Sequence, residues 1–159
     1  MKVVKGYRHT GIICDNLEKS LEFYKDYLGL EVIQDFWDDS EYINEITGIQ
    51  DANVHMIKLK ADDGTVIELL DYVSHPTALI KQEVYNVGAC HIAFQVSDIN
   101  LSYNHLLKKG VKIQVHYYPV YLQPYYKKNF KFKKGYCNNA EKYYEDSISL
   151  PIYYNLQLR

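Results

Sequence analysis

Two histidines and one glutamate carry the chemistry that this sequence suggests. His9 and His91 each open an apolar run, 82 positions apart. Glu68 lies in the middle of the apolar run Val66–Leu70, where a carboxylate costs several kcal/mol unless it is paired or binds a cation. Imidazole nitrogens and carboxylate oxygens are common ligands of divalent metal ions. We therefore predict a metal site formed by His9, Glu68 and His91.

Each of these residues also has an ordinary structural interpretation. Glu68 can lie at a solvated edge or pair with Lys58 across a hairpin, and a single histidine is more often a core or surface residue than a ligand. Two histidines in repeated positions favour the metal site. Glu68 or another carboxylate is the candidate catalytic base, and the sequence leaves that choice open.

The elements around the two histidines are also repeated. Alternation over residues 7–14 predicts a strand with His9 on one face, and Asp15 or Asn16 then caps a helix. The apolar stripe of this helix has to cover the strand face opposite His9, because a strand and the helix packed on it share a single buried interface. The same pattern of strand and helix begins again at Ala89.

Further strands complete the first half of the chain. Residues 30–37, 54–60 and 65–72 have the composition of strands, and Asp63-Gly64 between the last two predicts a hairpin. Residues 38–50 predict a loop with a short helix that covers a site. The first half is therefore predicted to be β-α-β-β-β.

Composition limits the functional class. A chain of 159 residues with 47% hydrophobic content can form one globular unit, and a net charge of −2 argues against nucleic-acid and membrane partners. Three cysteines without paired spacing and no long apolar run at the start predict a cytoplasmic protein. Cys14 and Cys90 are predicted to be small core residues.

Five motifs occur together in the first two thirds of the chain. They are His9-Thr10-Gly11-Ile12, the helix 17–24, Leu28-Gly29-Leu30, the hairpin segment 63–69 and His91-Ile92-Ala93-Phe94. Together they resemble the vicinal oxygen chelate superfamily over about residues 5–112. That superfamily includes glyoxalase I, methylmalonyl-CoA epimerase, fosfomycin-resistance proteins and extradiol dioxygenases.

The resemblance implies an α+β fold of two β-α-β-β-β modules around a divalent ion, which is Zn, Ni, Mn, Co or Fe. By position, it makes His9, Glu68 and His91 the metal ligands. It implies an isomerase, epimerase or lyase, in which the ion chelates two adjacent oxygens of a small metabolite and stabilises an enediolate.

The second module departs from this pattern because no second Asp-Gly hairpin follows. Residues 110–156 instead resemble the C-terminal end of PLP-dependent sugar-nucleotide aminotransferases, although Asn138 and Tyr154 stand where prolines are expected. The chain is therefore interpreted as a fusion, which suggests a link to amino-sugar or surface-glycan biosynthesis. PLP is not expected, because the domain that carries the Schiff-base lysine is absent.

The predicted divisions are a first module at 1–73, a linker at 74–88, the start of a second module at 89–112 and an irregular extension at 113–159.

Three protein ligands and a water are a common catalytic zinc set. His116 is the candidate for a fourth metal ligand, and Gln95 and Gln123 are weaker candidates. A homodimer that completes the barrel is a further alternative. The competing function is a non-catalytic binding module or fusion remnant.

Overall fold

The structure is a computed structural model that describes residues 3–80, 83, 85–111, 114–115 and 117–151. The chain divides into two compact units, Met1–Leu79 and Ile80–Arg159, and each is described by itself. The finer division into two modules, a linker and an extension stays a prediction. None of the helices in the described part of the chain has the length and apolar composition needed to cross a lipid bilayer.

The first unit has the predicted β-α-β-β-β order. Its elements are β1 (Thr10–Ile13), α1 (Leu17–Leu21, continued by π-helical turns over Glu22–Tyr27), β2 (Glu31–Asp38), α2 (Glu41–Thr47), β3 (Val54–Lys60) and β4 (Val66–Tyr72). The strands form one sheet in the order β1-β4-β3-β2. Strand β1 runs parallel to β4, and the other neighbours are antiparallel.

The predicted hairpin joins β3 to β4. Gly64 has a φ of 89°, which a residue without a Cβ adopts at little cost, and the Thr65 amide donates to the Asp63 carboxylate at 2.8 Å. This turn fixes the antiparallel register in which Lys58 lies directly opposite Glu68.

The two faces of this sheet are covered by different helices. Leu59, Ile67 and Leu69 are fully buried, and α1 contacts β4. Side chains of opposite parity, including Val54 and Met56, pack instead against α2. Because successive residues of a strand point to opposite faces, α1 and α2 cover opposite sides, and Glu68 and Lys58 lie on the α2 side.

A side-chain cap starts the first helix in each unit. The Asn16 side chain accepts a hydrogen bond from the Lys19 amide at 2.8 Å, and the Asp98 side chain accepts one from the Leu101 amide at 2.9 Å. These caps are 82 positions apart, the same offset that separates His9 from His91. Of the two predicted first-helix caps, Asn16 rather than Asp15 does the capping.

The described part of the second unit also combines helices with a sheet. Its elements are β5 (His91–Gln95), α3 (Ile99–Lys108), β6 (Gln114–Val115), a 3₁₀ turn (Val120–Leu122), α4 (Pro124–Phe130), α5 (Asn138–Asp146) and β7 (Ser147–Pro151). Its sheet has the order β5-β7-β6, with both pairs antiparallel. Leu106, Val111 and Ile148 are almost fully buried and form its core.

Strand β7 places the extension inside the second sheet. In the first sheet two strands, β4 and β3, separate β1 from β2, whereas in the second a single strand, β7, separates β5 from β6. Strand β7 runs antiparallel to both of its neighbours, whereas β1 of the first sheet lies beside a parallel strand. The second module is thus incomplete, as predicted, and the extension fills the place of the missing hairpin.

Candidate functional site

His9 and Glu68 come together on the α2 side of the first sheet. His9 immediately precedes β1, and Gly11 of that strand lies opposite Glu68 in the parallel register. The His9 Nε2 atom is 3.2 Å from the Glu68 Oε2 atom. The side chains are 33% and 13% exposed, so the pair is sheltered but reachable from solvent. Two of the three predicted ligands therefore meet.

Lys58 engages the other oxygen of the same carboxylate. Its Nζ atom is 3.4 Å from Glu68 Oε1, and it also lies 5.5 Å from the centre of the Phe36 ring. This is the hairpin pair that the sequence offered as the alternative explanation of Glu68. An ammonium and an imidazole thus offset the cost of placing a carboxylate inside a sheet.

Gly11 leaves the space beside Glu68 open. A Cβ atom at this position would lie 3.8 Å from Glu68 Oε2 and 3.2 Å from the Leu70 Cδ1 atom. The first distance is an ordinary van der Waals contact and the second is tighter, so a side chain here would press on Leu70 and line the carboxylate. Spacing placed Gly11 on the His9 face but gave no sign of this role.

An apolar cluster borders the site on the same face. Ile43 of α2 packs with Ala52, Val54 and Met56, and four partly buried side chains surround them: Phe36, Ile49, Leu70 and Tyr72. The predicted covering loop is thus confirmed as a short helix over this face. Phe36 links the cluster to Lys58 and hence to the carboxylate.

The first unit holds a second pair of histidine and carboxylate that sequence reasoning missed. His55 Nε2 lies 2.7 Å from Asp35 Oδ1, and the His55 ring stacks on Trp37 with centroids 4.2 Å apart. His55 is an odd number of residues from Lys58 along β3, so it lies on the opposite face of the sheet from Glu68. It does not belong to the candidate site.

His91 begins β5 in the second unit. It is exposed together with Ala93 and Gln95, whereas the alternate residues Ile92 and Phe94 are more buried. His91 therefore lies on the face turned away from the core of its unit. Its meeting with His9 and Glu68 stays a prediction.

The weaker ligand candidates are His116, Gln95 and Gln123. His116 is outside the described residues, and Gln95 and Gln123 are exposed side chains of the second unit. Within the described part of the first unit, no further histidine, cysteine, aspartate or glutamate joins His9 and Glu68 in a group of three.

The donors of His9 and Glu68 suit a divalent ion. A ligand bond of about 2.0–2.2 Å places two ligand atoms roughly 3–4 Å apart around one ion. The observed separation of 3.2 Å falls in this range. Because Lys58 engages Oε1, a metal would have to bind at Oε2 and take the place of its direct contact with the His9 imidazole.

The second unit contains a cleft of about 390 Å³ that the sequence did not indicate. Gln95 lines it from β5, and α5 contributes Asn139, Lys142 and Tyr143. Most of the surface that lines it is apolar, and the cleft is open to solvent. The extension therefore supplies most of the lining of this cleft.

Comparison with known proteins agrees with this fold. The model of the Glyoxalase/Bleomycin resistance protein/Dioxygenase superfamily matches residues 8–123. The chain belongs to this superfamily. A glyoxalase family protein of Bacillus cereus has a similar structure, with a TM-score of 0.67 and 22% identity over 74% of this chain and 82% of that one.

The relatives of this superfamily member differ in how much they share with it. YwkD of Bacillus subtilis, an uncharacterised protein, is 28% identical over 130 residues, which are 82% of this chain and 88% of YwkD. Two shorter matches, of 48 and 44 residues, are to the uncharacterised protein MJ1066 of Methanocaldococcus jannaschii and to the spore coat polysaccharide biosynthesis protein SpsC of B. subtilis.

The short matches are the closer in identity, at 50% for MJ1066 and 46% for SpsC. They cover 30% and 28% of this chain but only 12% and 11% of the two proteins. The chain thus spans about an eighth of the length of MJ1066 and a ninth of that of SpsC. The relation of the extension to aminotransferases stays a prediction.

Proposed function

We propose that this superfamily member is a metal-dependent isomerase, epimerase or lyase that acts on a small metabolite with two adjacent oxygen atoms. His9, Glu68 and His91 are its proposed metal ligands. The observation that carries the proposal is the approach of His9 Nε2 to Glu68 Oε2, at 3.2 Å on a sheltered face of the first sheet. The metal is Zn, Ni, Mn, Co or Fe, and no PLP takes part.

The side chains around this pair have separate tasks in the proposed reaction. A bound divalent ion supplies a Lewis acid for the substrate oxygens. Lys58 holds the Glu68 carboxylate from its Oε1 side and fixes the direction in which Oε2 points. The cluster of Ile43, Met56 and Phe36 keeps bulk water from one side of the pair, which strengthens electrostatic interactions there. Glu68 is also the proposed catalytic base.

The biological setting of the reaction is proposed from the extension. A short segment of the chain is similar to a protein named for spore coat polysaccharide biosynthesis, which supports a link to amino-sugar or surface-glycan metabolism. A cytoplasmic location and a homodimer are part of the same proposal. The small net charge of −2 supports a small-molecule substrate rather than nucleic acid.

A non-catalytic binding module is the second candidate, and one observation favours it. Lys58 already pairs with Glu68, so the carboxylate has a partner without any metal. In a remnant of this kind, the His9–Glu68–Lys58 group would be a structural ion-pair network, and the chain would purify without bound metal.

Elemental analysis of the purified protein separates the two candidates. We expect about one equivalent of a divalent metal per chain in the wild type and little in His9→Ala. The matched control is His55→Ala, which removes a histidine from a carboxylate pair on the other face of the same sheet and should keep the metal. A metal-free wild type, or the same metal content in the wild type and in His9→Ala, would favour the binding module.

A further inference from the structure

Charge is divided unevenly between the two units. The first unit carries 15 acidic and 7 basic side chains, and the second carries 5 acidic and 11 basic side chains. The whole-chain charge of −2 therefore combines an excess of 8 negative charges in the first unit with an excess of 6 positive charges in the second. Surfaces of opposite charge attract one another and steer the association of proteins.

The negative charge is concentrated around helix α2. Residues 38–51 contain no lysine or arginine, and none of their carboxylates forms an ion pair with another described residue. Beside the exposed Glu41 and Glu45, which lie one helical turn apart, Tyr42 and Ile46 are 66% and 59% exposed. We call this surface, both acidic and apolar, the acidic patch. Its carboxylates are Asp38, Asp39, Glu41, Glu45 and Asp51.

The positive charge is concentrated around helix α4. Residues 120–136 contain five lysines and no acidic side chain. Among the described residues, Lys134 is the only one of the five in an ion pair, which it forms with Glu145. Tyr125 and Phe130 of the same segment are 65% and 58% exposed. We call this surface, both basic and aromatic, the basic patch. Its lysines are Lys127, Lys128, Lys131, Lys133 and Lys134.

The rings of the basic patch add to its preference for anions. Phe130 is stacked between Tyr126 and Phe132, with ring centroids 6.0 and 5.9 Å from its own. Stacking occupies the faces of the Phe130 ring, so its edges form most of the exposed part. The edge of an aromatic ring carries partial positive charge, which favours contact with carboxylates. A nucleobase would need an open ring face, which the stacked Phe130 ring does not offer.

We propose that the basic patch of one chain docks on the acidic patch of a second copy of this chain. Five ammonium groups meet five carboxylates, and each patch exposes apolar side chains among its charges. The partner with a complementary surface is therefore the chain itself. This inference rests on the homodimer of the proposed function, to which it gives a contact surface separate from the His9–Glu68 pair.

Charge and apolar contact both contribute to this association. Ion pairs at a protein surface are individually weak, so several of them must act together with the burial of side chains such as Tyr42, Ile46 and Phe130. The association should therefore weaken as salt screens the charges. It should also weaken when an apolar side chain of either patch is removed at constant charge.

Sedimentation analysis of the wild type and of two charge-reversed chains tests the proposal. We expect the wild type to self-associate at about 0.05 M salt and to dissociate at about 1 M, where the screening length is only about 3 Å. The variant Glu41→Lys/Glu45→Lys and the variant Lys128→Glu/Lys133→Glu should each self-associate at least about tenfold more weakly. An equimolar mixture of the two should form mixed pairs, because one chain keeps the basic patch and the other keeps the acidic patch.

Two further variants keep the test decisive. Glu18→Lys/Asp62→Lys changes the net charge of the first unit by the same amount outside the acidic patch, and it should associate like the wild type. Ile46→Ser keeps every charge and should weaken association at low salt, even if the charge reversals disturb the fold.

Three results would overturn the inference. They are a wild type that is monomeric at both salt concentrations, a mixture that forms no pairs, and a control variant that dissociates as fully as the α2 variant. A monomeric wild type that still binds metal through His9 would leave the metal-dependent function standing. A wild type that associates as expected but holds no metal would support this inference and count against that function.

Discussion

The Glu68 carboxylate is the residue on which two interpretations of this chain compete. Each of its oxygens already has a partner, His9 on one side and Lys58 on the other. A sequence shows that such a carboxylate needs a cation but does not show which cation it has. In the structure the Lys58 ammonium contacts Glu68 Oε1. A metal at Oε2 would therefore have to bind within the field of that positive charge.

Removal of Lys58 should therefore favour the metal. We expect Lys58→Gln to bind a divalent ion about tenfold more tightly than the wild type, a difference of ~1.4 kcal/mol, because a repelling charge beside Glu68 is gone. Isothermal titration with Zn²⁺ or Co²⁺ measures this. Lys60→Gln is the control, since Lys60 is two residues along the same strand and pairs with Glu31 instead. Weaker binding in Lys58→Gln would contradict this expectation and show that the orientation which Lys58 gives to Glu68 outweighs its repulsion of the metal.

The three cysteines differ in ways that a thiol titration detects. Burial raises the pKa of the Cys14 thiol above its ordinary value, and Cys14 is 4% exposed, whereas Cys90 and Cys137 are exposed. The prediction of a buried Cys90 is wrong, because that residue precedes β5 instead of lying inside it. We expect two thiols to react rapidly with a disulfide reagent in the native protein and the third only on unfolding. Three fast thiols would contradict this assignment.

At the scale of elements, the repeat was predictable because local signals repeat with it. The caps at Asn16 and Asp98 and the Asp63-Gly64 turn are short-range patterns whose residues contact one another along the chain. The π-helical turn, in which the Leu28 amide donates to the Phe23 carbonyl at 3.0 Å, has no comparable signal in the sequence. The spacing of apolar residues is similar in α- and π-helical turns over such a short segment.

The two caps should be of similar importance to their units. Replacing either Asn16 or Asp98 with alanine should lower the free energy of unfolding by ~1 kcal/mol, since each leaves a helix amide without its partner. Denaturant unfolding measures the loss. Asp15→Ala is the control for the first unit and should be nearly neutral, because Asn16 provides the cap. A larger effect for Asp15 than for Asn16 would contradict the assignment.

Helix α5 is tied to its unit by a buried carboxylate with a pH-dependent contribution. Glu141 is 7% exposed and accepts hydrogen bonds from the Tyr121 hydroxyl and, at 2.6 Å, from the Gly135 amide. The Tyr121 hydrogen bond is the main cause that lowers the pKa of Glu141 below its ordinary value of 4.5. The ionised form is thus favoured in the folded state, and its contribution is present above pH 4.5 and is lost as the pH falls through the lowered pKa.

Glu141→Gln should accordingly melt at a lower temperature than the wild type at pH 7. The difference should shrink steadily as the pH falls below 4.5 and through the lowered pKa of Glu141, where the wild-type carboxyl also becomes neutral. Glu145→Gln serves as the control on the same helix, because Glu145 is 53% exposed and makes a surface pair with Lys134. A melting difference that is the same at pH 3 and pH 7 would refute this origin.

At the scale of the whole molecule, the extension could not be placed from sequence. Residues 147–151 form a short run that is equally compatible with several pairings, and the choice of β5 as a partner depends on contacts more than 50 residues away along the chain. The sequence predicted a second module left short, which is confirmed. It did not show that strand β7 of the extension pairs with β5, with Ser149 opposite Ala93.

The most direct test of the central claim is the affinity for a divalent metal in wild type, His9→Ala and His91→Ala. The account predicts that the wild type binds one ion per chain and that each substitution weakens binding about 100-fold or more, since each removes one of three protein ligands. His55→Ala should bind like the wild type. If His91→Ala bound metal as tightly as the wild type while His9→Ala did not, the second unit would supply no ligand, and the shared site would be refuted.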